Sequence, residues 1–278
     1  MKIATLISSG FVLAGLAAAQ LPAPNESGVA MGHLHLNVRD VAAQKKFWTE
    51  VMGATAVKLG TMDVMKLPEV LVMLRQAEPA GGTKGSVVNH IGLRVKDMDA
   101  AYARMKAAGA NFVTRTEVSG GRATEDIFRN TAINQVQAFV MGPDEVKIEI
   151  IEDRAMTAPL ANHHIHFFSK APPEGVAWYV KMLGAKGGKR GPFEAADVPG
   201  VNLSFTNSTD AVVGTKGRSL DHIGFEVRDL EAFCKKLEAD GVKFDIPYRK
   251  VPALGIAIAF FTDPWGTYIE LTEGLNKL

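Results

Sequence analysis

Histidine and glutamate recur along this chain at spacings that could build a mononuclear metal site more than once. "HLHLNVRDV" opens at His33, "HIGLRVKDM" at His90, "HIHFFSKAP" at His164 and "HIGFEVRDL" at His222. Side chains alternate across a strand, so residues i and i+2 share a face. His35 then looks the same way as His33, and His166 the same way as His164, while His163 faces the other side. In the second and fourth phrases the i+2 place is Gly92 and Gly224, which leaves room beside the histidine. Strand glutamates follow in "KIEII" (Glu149) and "YIELT" (Glu270). A carboxylate between apolar neighbours is costly against a dry core and sensible in a polar cup. Each half of the chain thus offers two histidines and a glutamate: His33, His90, Glu149 and His164, His222, Glu270. Two imidazoles and a carboxylate with open positions form a facial triad, common for Fe(II) and open to Mn, Zn, Ni or Co. The alternative is a set of hydrogen-bonded strand histidines, copied by duplication and holding no metal.

The elements that must position these residues also repeat. In three of the four phrases Val follows five residues after the histidine and Asp seven after; the third has Ser169 and Ala171 there. Each phrase alternates like a strand and leads into a helical pattern, as in "DMDAAYARMKAAGA" and "DLEAFCKKLEADGV". Gly53, Gly109, Gly184 and Gly241 stand where those helices should stop. Strand-like pieces follow, such as "NQVQAFVMG" with "EVKIEIIE". The chain is therefore expected to be α+β, with one βαβββ module used four times. "GTKG" at 82–85 and at 214–217, each eight residues before its His-Ile-Gly, pairs the modules at a higher level. This predicts a first domain over residues 31–153, a linker at 154–162 and a second domain over 163–278. The order G-x-x-x-x-G-K-[ST] is absent around Gly82, so "GTKG" is read as a flexible connector and not a phosphate loop.

Residues 1–19 read as a secretory signal peptide: Lys2, then "IATLISSGFVLAGLAAA" with an A-x-A-like end. That run is short beside the roughly 20 apolar residues of a membrane span. The expectation is export to a periplasm or beyond, a loose leader at 20–30, and no membrane attachment after cleavage. The 31 Lys and Arg against 30 Asp and Glu leave no basic footprint for a nucleic-acid partner. Cys234 is the single cysteine, so no intrachain disulfide is possible; it shares a helical face with Leu230, Phe233 and Leu237 and reads as a buried, inert thiol.

Taken together, "NHIGLRVKD", "GPDEVKIEIIE", "LDHIGFEVRD" and "DPWGTYIELTE" resemble the vicinal oxygen chelate (VOC) superfamily, which includes glyoxalase I, bleomycin-resistance proteins and extradiol dioxygenases. The resemblance covers about Met31 to Glu273. It implies two open, cup-shaped mixed sheets, each built from two modules, with a divalent metal at the floor of a cup. It carries metal positions to His33, His90 and Glu149, and to His164, His222 and Glu270. Such a metal chelates neighbouring oxygens of a small substrate as a Lewis acid. Two departures narrow the chemistry. The further glutamate of glyoxalase I is replaced near Met73 and Ser204. The tyrosine expected three residues before Asp263 in dioxygenases is Phe260, with Tyr268 on the face of Glu270 as a stand-in or a packing residue. His35 and His166 are candidates for proton transfer, for support of the glutamate, or, by a one-step shift, for ligation. The reading is a metal-dependent lyase, isomerase or dioxygenase acting on a small oxygen-rich molecule, as monomer or homodimer. Its rival is a non-catalytic protein that sequesters a small molecule, as bleomycin-resistance relatives do.

Overall fold

The computed structural model describes residues 21–278; the signal-peptide expectation at 1–19 lies outside the described residues. Module one comprises β1 (Val29–Val38), α1 (Val41–Lys46, continued by a π turn over Phe47–Val51), β2 (Thr55–Leu59), β3 (Met62–Leu67) and β4 (Val70–Gln76). Module two comprises β5 (Val88–Val95), α2 (Met98–Ala107), β6 (Asn111–Phe112), the short α3 (Thr114–Glu117), β7 (Phe128–Asn130), β8 (Gln135–Met141) and β9 (Lys147–Glu152). Module three runs through β10 (Leu160–Ser169), α4 (Pro172–Leu183), β11 (Lys186–Arg190), β12 (Phe193–Val198) and β13 (Val201–Asn207). Module four runs through β14 (Leu220–Val227), α5 (Leu230–Ala239), β15 (Phe244–Val251), β16 (Ile256–Thr262) and β17 (Tyr268–Glu273).

The Asp that recurs seven residues after the histidine is the helix N-cap. Asp40 accepts from the amides of Ala42 and Ala43, Asp97 from Ala100 and Asp229 from Ala232, satisfying amides the first turn cannot. Module three, lacking that Asp, starts α4 on Pro172, whose fixed φ suits the first turn. The glycines after the helices, Gly53, Gly109, Gly184 and Gly241, all have positive φ, as a helix stop requires.

The two sheets are assembled differently from the expected arrangement. One has the order β15-β16-β17-β14-β1-β4-β3-β2 and so joins module four to module one. The other, β11-β12-β13-β10-β5-β9-β8-β6 with β7 on β8, joins module three to module two. The cups therefore form from modules one with four and two with three, not from one with two and three with four, and both sheets straddle the expected linker at 154–162, whose last three residues belong to β10. Alternation specifies which face a strand buries and is silent on which edge it pairs. The joins are antiparallel, β1 to β14 and β5 to β10. Leu34, Leu36 and Val38 of β1 and Ile91, Leu93 and Val95 of β5 turn away from the cups into one core shared by both sheets. The burial of Cys234 in that core pushes its thiol up to about 12.

The "GTKG" segments are built in, not flexible. Thr83 and Thr215 are buried. Their hydroxyls accept from the amides of Lys147 and Tyr268, the first residues of β9 and β17. Each thus anchors the strand that carries a cup glutamate.

Candidate metal centres

The antiparallel joins put the repeated phrases face to face. In the first sheet His35 pairs with His222 and His33 with Gly224, while Gly224 pairs on its other side with Glu270. The second sheet repeats this: His166 opposite His90, His164 opposite Gly92, and Gly92 beside Glu149. The glycine of each His-Ile-Gly is thus spanned by two side chains. His33 Nε2 lies 2.8 Å from Glu270 Oε2, and His164 Nε2 lies 3.0 Å from Glu149 Oε2. A Cβ on Gly224 would fall 2.0 Å from His33 Cε1, and one on Gly92 would fall 1.9 Å from His164 Nδ1. The room beside each histidine is filled by a histidine from the paired module.

The candidate residues consequently gather by sheet and not by sequence half. His33, His35, His222 and Glu270 form one cluster; His90, Glu149, His164 and His166 form the other. His90 and Glu149 do not meet His33, nor does His164 meet His222 and Glu270, as the expected grouping required. Within each cluster one donor atom per residue lies within 4.8 Å of the others, and all eight residues are buried. His222 Nε2 is 2.9 Å from Glu270 Oε2, and His90 Nε2 is 3.2 Å from Glu149 Oε2.

Electrostatics favour the ligand form of both carboxylates and of His35, His90, His164 and His166. Burial opposes ionisation of Glu270, but His33 and His222 outweigh it and hold the carboxyl well below its usual range. Glu149 is held down in the same way by His164 and His90. Burial, reinforced by His222 and His33, lowers His35 to about 2, and burial lowers His164 to about 3. Neither ring nitrogen of His35 has a hydrogen-bond partner, and His33 Nδ1 and His166 Nδ1 also lack one. Buried, unpartnered imidazole nitrogens are costly unless something accepts their lone pairs. Imidazoles beside an ionised carboxylate are the donor set a divalent cation takes, so the residue types fit a metal in both cups.

Sequence reading missed the residue before each second histidine. His222 Nδ1 donates to Asp221 Oδ1 at 2.6 Å, and His90 Nδ1 sits 2.9 Å from Asn89 Oδ1. Both fall at register irregularities, between the His35–His222 and Leu36–Leu220 pairs and between His166–His90 and Phe167–Val88. A bulge re-aims a side chain that strict alternation would send to the far face. Asp221 is fixed in turn by Asn37 and the Gly217 amide. Burial raises its carboxyl, but His222, Gly217 and Arg75 prevail and bring it to about 2. Although burial works against an imidazolium at His222, hydrogen bonds to Asp221 and Glu270 raise its pKa; His90, with the neutral Asn89, is lowered by burial. His163 also lies at an irregularity, with Nδ1 2.8 Å from His164 Nδ1, and so does not simply face away.

The remaining candidates fall as follows. Met73 pairs with His35 and Ser204 with His166, so neither cup has a carboxylate there. His166 Nε2 is 2.6 Å from Thr206 Oγ1, a tie that His35 lacks. Tyr268 is buried, stacks on Phe260 with ring centres 5.3 Å apart, and meets His222 edge-on. Burial raises its phenol, which therefore stays protonated at neutral pH. The Asp-Pro-x-Gly turn is structural at its aspartate: Asp263 accepts from the Trp265 and Thr267 amides and from the Tyr179 hydroxyl.

Two open sheets of βαβββ modules, each with a histidine-carboxylate cluster on its floor, define a glyoxalase-type protein with two candidate metal centres. The family model of the Glyoxalase/Bleomycin resistance protein/Dioxygenase superfamily matches residues 30–150 and again 161–271, and the chain belongs to that superfamily. Glyoxalase I from Zea mays is similar in fold, with 18% identity, a TM-score of 0.70, and coverage of 90% of this chain and 94% of that one. A putative dioxygenase from Bacillus subtilis subsp. subtilis str. 168 aligns with a TM-score of 0.66 at 14% identity, covering 92% and 86%. No curated protein matches the sequence.

Proposed function

We propose that the protein is an exported metalloenzyme of glyoxalase or dioxygenase type with two metal centres, acting on small oxygen-rich molecules. The observation that carries this reading is the twofold convergence of three imidazoles and one carboxylate, with ring nitrogens left uncommitted. His33, His222 and Glu270, with His35 beside them, would hold one divalent ion; His164, His90 and Glu149, with His166, would hold the other. When bound, the ion supplies Lewis-acid polarisation of substrate oxygens at its open positions.

The chain's own residues supply orientation, exclusion of water and hydrogen-bond acceptors. Asp221 holds the Nδ1 proton of His222 and so turns the Nε2 lone pair inward, the support that ligating histidines ordinarily have. Neutral His35 and His166 face the same floor; burial makes both weak bases, so each would accept a hydrogen bond from a substrate O–H and not carry its proton. Tyr268 can donate a hydrogen bond at the mouth of the first cup. The first cup, about 370 Å³, is walled largely by Leu59, Met62, Met73, Ile256 and Ile258, which would exclude water around a bound molecule. Export rests on the N-terminal sequence; among the described residues no helix is long and apolar enough to cross a membrane.

Metal content per chain, measured on mature protein purified without chelator or histidine tag, tests the reading. Two equivalents are expected, with about one lost in His222→Ala and about one in His90→Ala. No retained metal after loading with Fe(II), Mn(II), Ni(II), Co(II) or Zn(II) would refute it and favour a sequestering protein.

A further inference from the structure

The two cups share a floor and differ in their walls, and registers identify the matched positions. Leu59 pairs with Met62 at the rim of the first sheet; Arg190 pairs with Phe193 at the same place in the second. Met73 beside His35 corresponds to Ser204 beside His166. Ile258, opposite Thr272, corresponds to Gln137, opposite Ile151. Tyr268, two residues before Glu270, corresponds to Lys147, two before Glu149. At these positions the second cup, about 510 Å³, is polar where the first is apolar; the first cup's Arg75 and Arg249 are exposed, and Arg75 is tied to Asn37.

The second cup's cations are not all neutralised. Lys147 and Lys84 both reach Glu117, at 2.6 Å and 3.7 Å, so two ammonium groups share one carboxylate. Arg190 donates from Nε to Ser204 Oγ at 2.7 Å and lies over the Phe193 ring at 5.5 Å. Among the described residues no carboxylate comes within salt-bridge distance of its guanidinium, and its Nη groups have no hydrogen-bond partner. Burial lowers its pKa, yet so strong a base stays charged. A half-buried guanidinium, fixed at Nε and free at both Nη groups, is preorganised for the two oxygens of an anionic group. We propose that the second cup takes a small anionic substrate, a carboxylate or phosphate ester, and that Arg190 holds its charged end; the first cup takes an uncharged, more apolar one. This rests on the metalloenzyme reading only in treating the cup as the substrate site, since the anion contact itself requires no metal.

The test is calorimetric titration of the mature protein with lactate, glycerol 3-phosphate and the neutral lactamide, run metal-free and Mn(II)-loaded, with Mn content measured on the same samples. The expected result is at least about tenfold tighter binding of one of the anions than of lactamide, the scale of a charge-assisted pair; the tighter anion distinguishes carboxylate from phosphate. Arg190→Leu, the residue type of the first cup, should erase that preference while leaving Mn content and lactamide binding unchanged. Arg190→Gln, which keeps a polar side chain at the site, guards against a packing defect and should behave alike. Wild-type protein that favours neither anion, or Arg190 variants that keep the preference, would overturn the proposal. An anion preference in a chain that retains none of Fe(II), Mn(II), Ni(II), Co(II) or Zn(II) on loading would instead sink the metalloenzyme reading and leave the anion site standing.

Discussion

Replacing Gly224 by alanine adds one methyl group at a point where the structure has no room for it. The new Cβ would lie 2.0 Å from His33 Cε1, 2.1 Å from Nδ1 and 2.5 Å from Nε2, so no rotation of the ring in place relieves the clash. His33 is fully buried and cannot swing into solvent. Gly224 does not have positive φ, so the cost is steric and not conformational. Overpacking of this kind costs about 1–3 kcal/mol. Displacing His33 also breaks its 2.8 Å contact with the buried Glu270, and a charge-bearing hydrogen bond adds about 1.5–3 kcal/mol. With roughly 2–4 °C per kcal/mol for a chain of this size class, Gly224→Ala should unfold at least about 5 °C below wild type and retain one metal fewer. Gly92→Ala should do the same through His164 in the other cup. Gly188→Ala, a strand position where an added Cβ meets nothing within 4 Å, is the control and should change neither quantity. Differential scanning calorimetry with metal analysis of the same samples reads both effects. A Gly224→Ala protein with full metal content and wild-type stability would show that the glycine is not there to admit His33.

The two cups should also respond differently to pH. His222 has a raised pKa in the metal-free fold, so the stability it contributes there is present below about 6.5, its unfolded value, and is lost as pH rises through its folded pKa. Loading the first cup requires that proton to leave, so its apparent metal affinity should climb with pH across neutrality. His90 is already neutral, and the second cup should be flatter; Asp221→Asn should flatten the first, as read by competition with a chromogenic chelator. Thr215→Val should destabilise the fold by about 1–3 kcal/mol by stripping the buried Tyr268 amide of its acceptor, measured by urea unfolding. Tyr179→Phe should cost about 1–2 kcal/mol through the lost bond to Asp263 while leaving metal content intact, which would separate the Asp-Pro-x-Gly turn from the chemistry.

Much of this architecture is written in local pattern. Alternation placed His33 with His35 and His164 with His166 on one face, and the helix stops and Asp caps recur where sequence spacing puts them. What escaped was long range. The repeats show that modules one and three are alike, but edge pairing depends on which core faces meet after collapse, and no period encodes that. One clue was present: a glycine beside a histidine implies a bulky neighbour across the strand, and modules one and three, with a second histidine instead, are the ones that supply it. Asp221 and Asn89 escaped because alternation fails at a bulge, and Arg190 because a basic residue after "KGGK" resembles any exposed strand end.

The pairing of modules one with four and two with three makes the chain a nested enclosure, and nesting imposes an order on its biosynthesis. The inner cup has all its strands once Asn207 has emerged, with its two modules consecutive in the chain. The outer cup joins only when β14 reaches β1, and it lacks its carboxylate until β17 sets Glu270 beside Gly224 of β14. Until β14 has emerged, through Val227, β1 offers an unpaired edge with His33 and His35 along it, the kind of edge that invites wrong partners. A chain synthesised from the N-terminus thus completes its central site first and leaves β1 waiting for the fourth module.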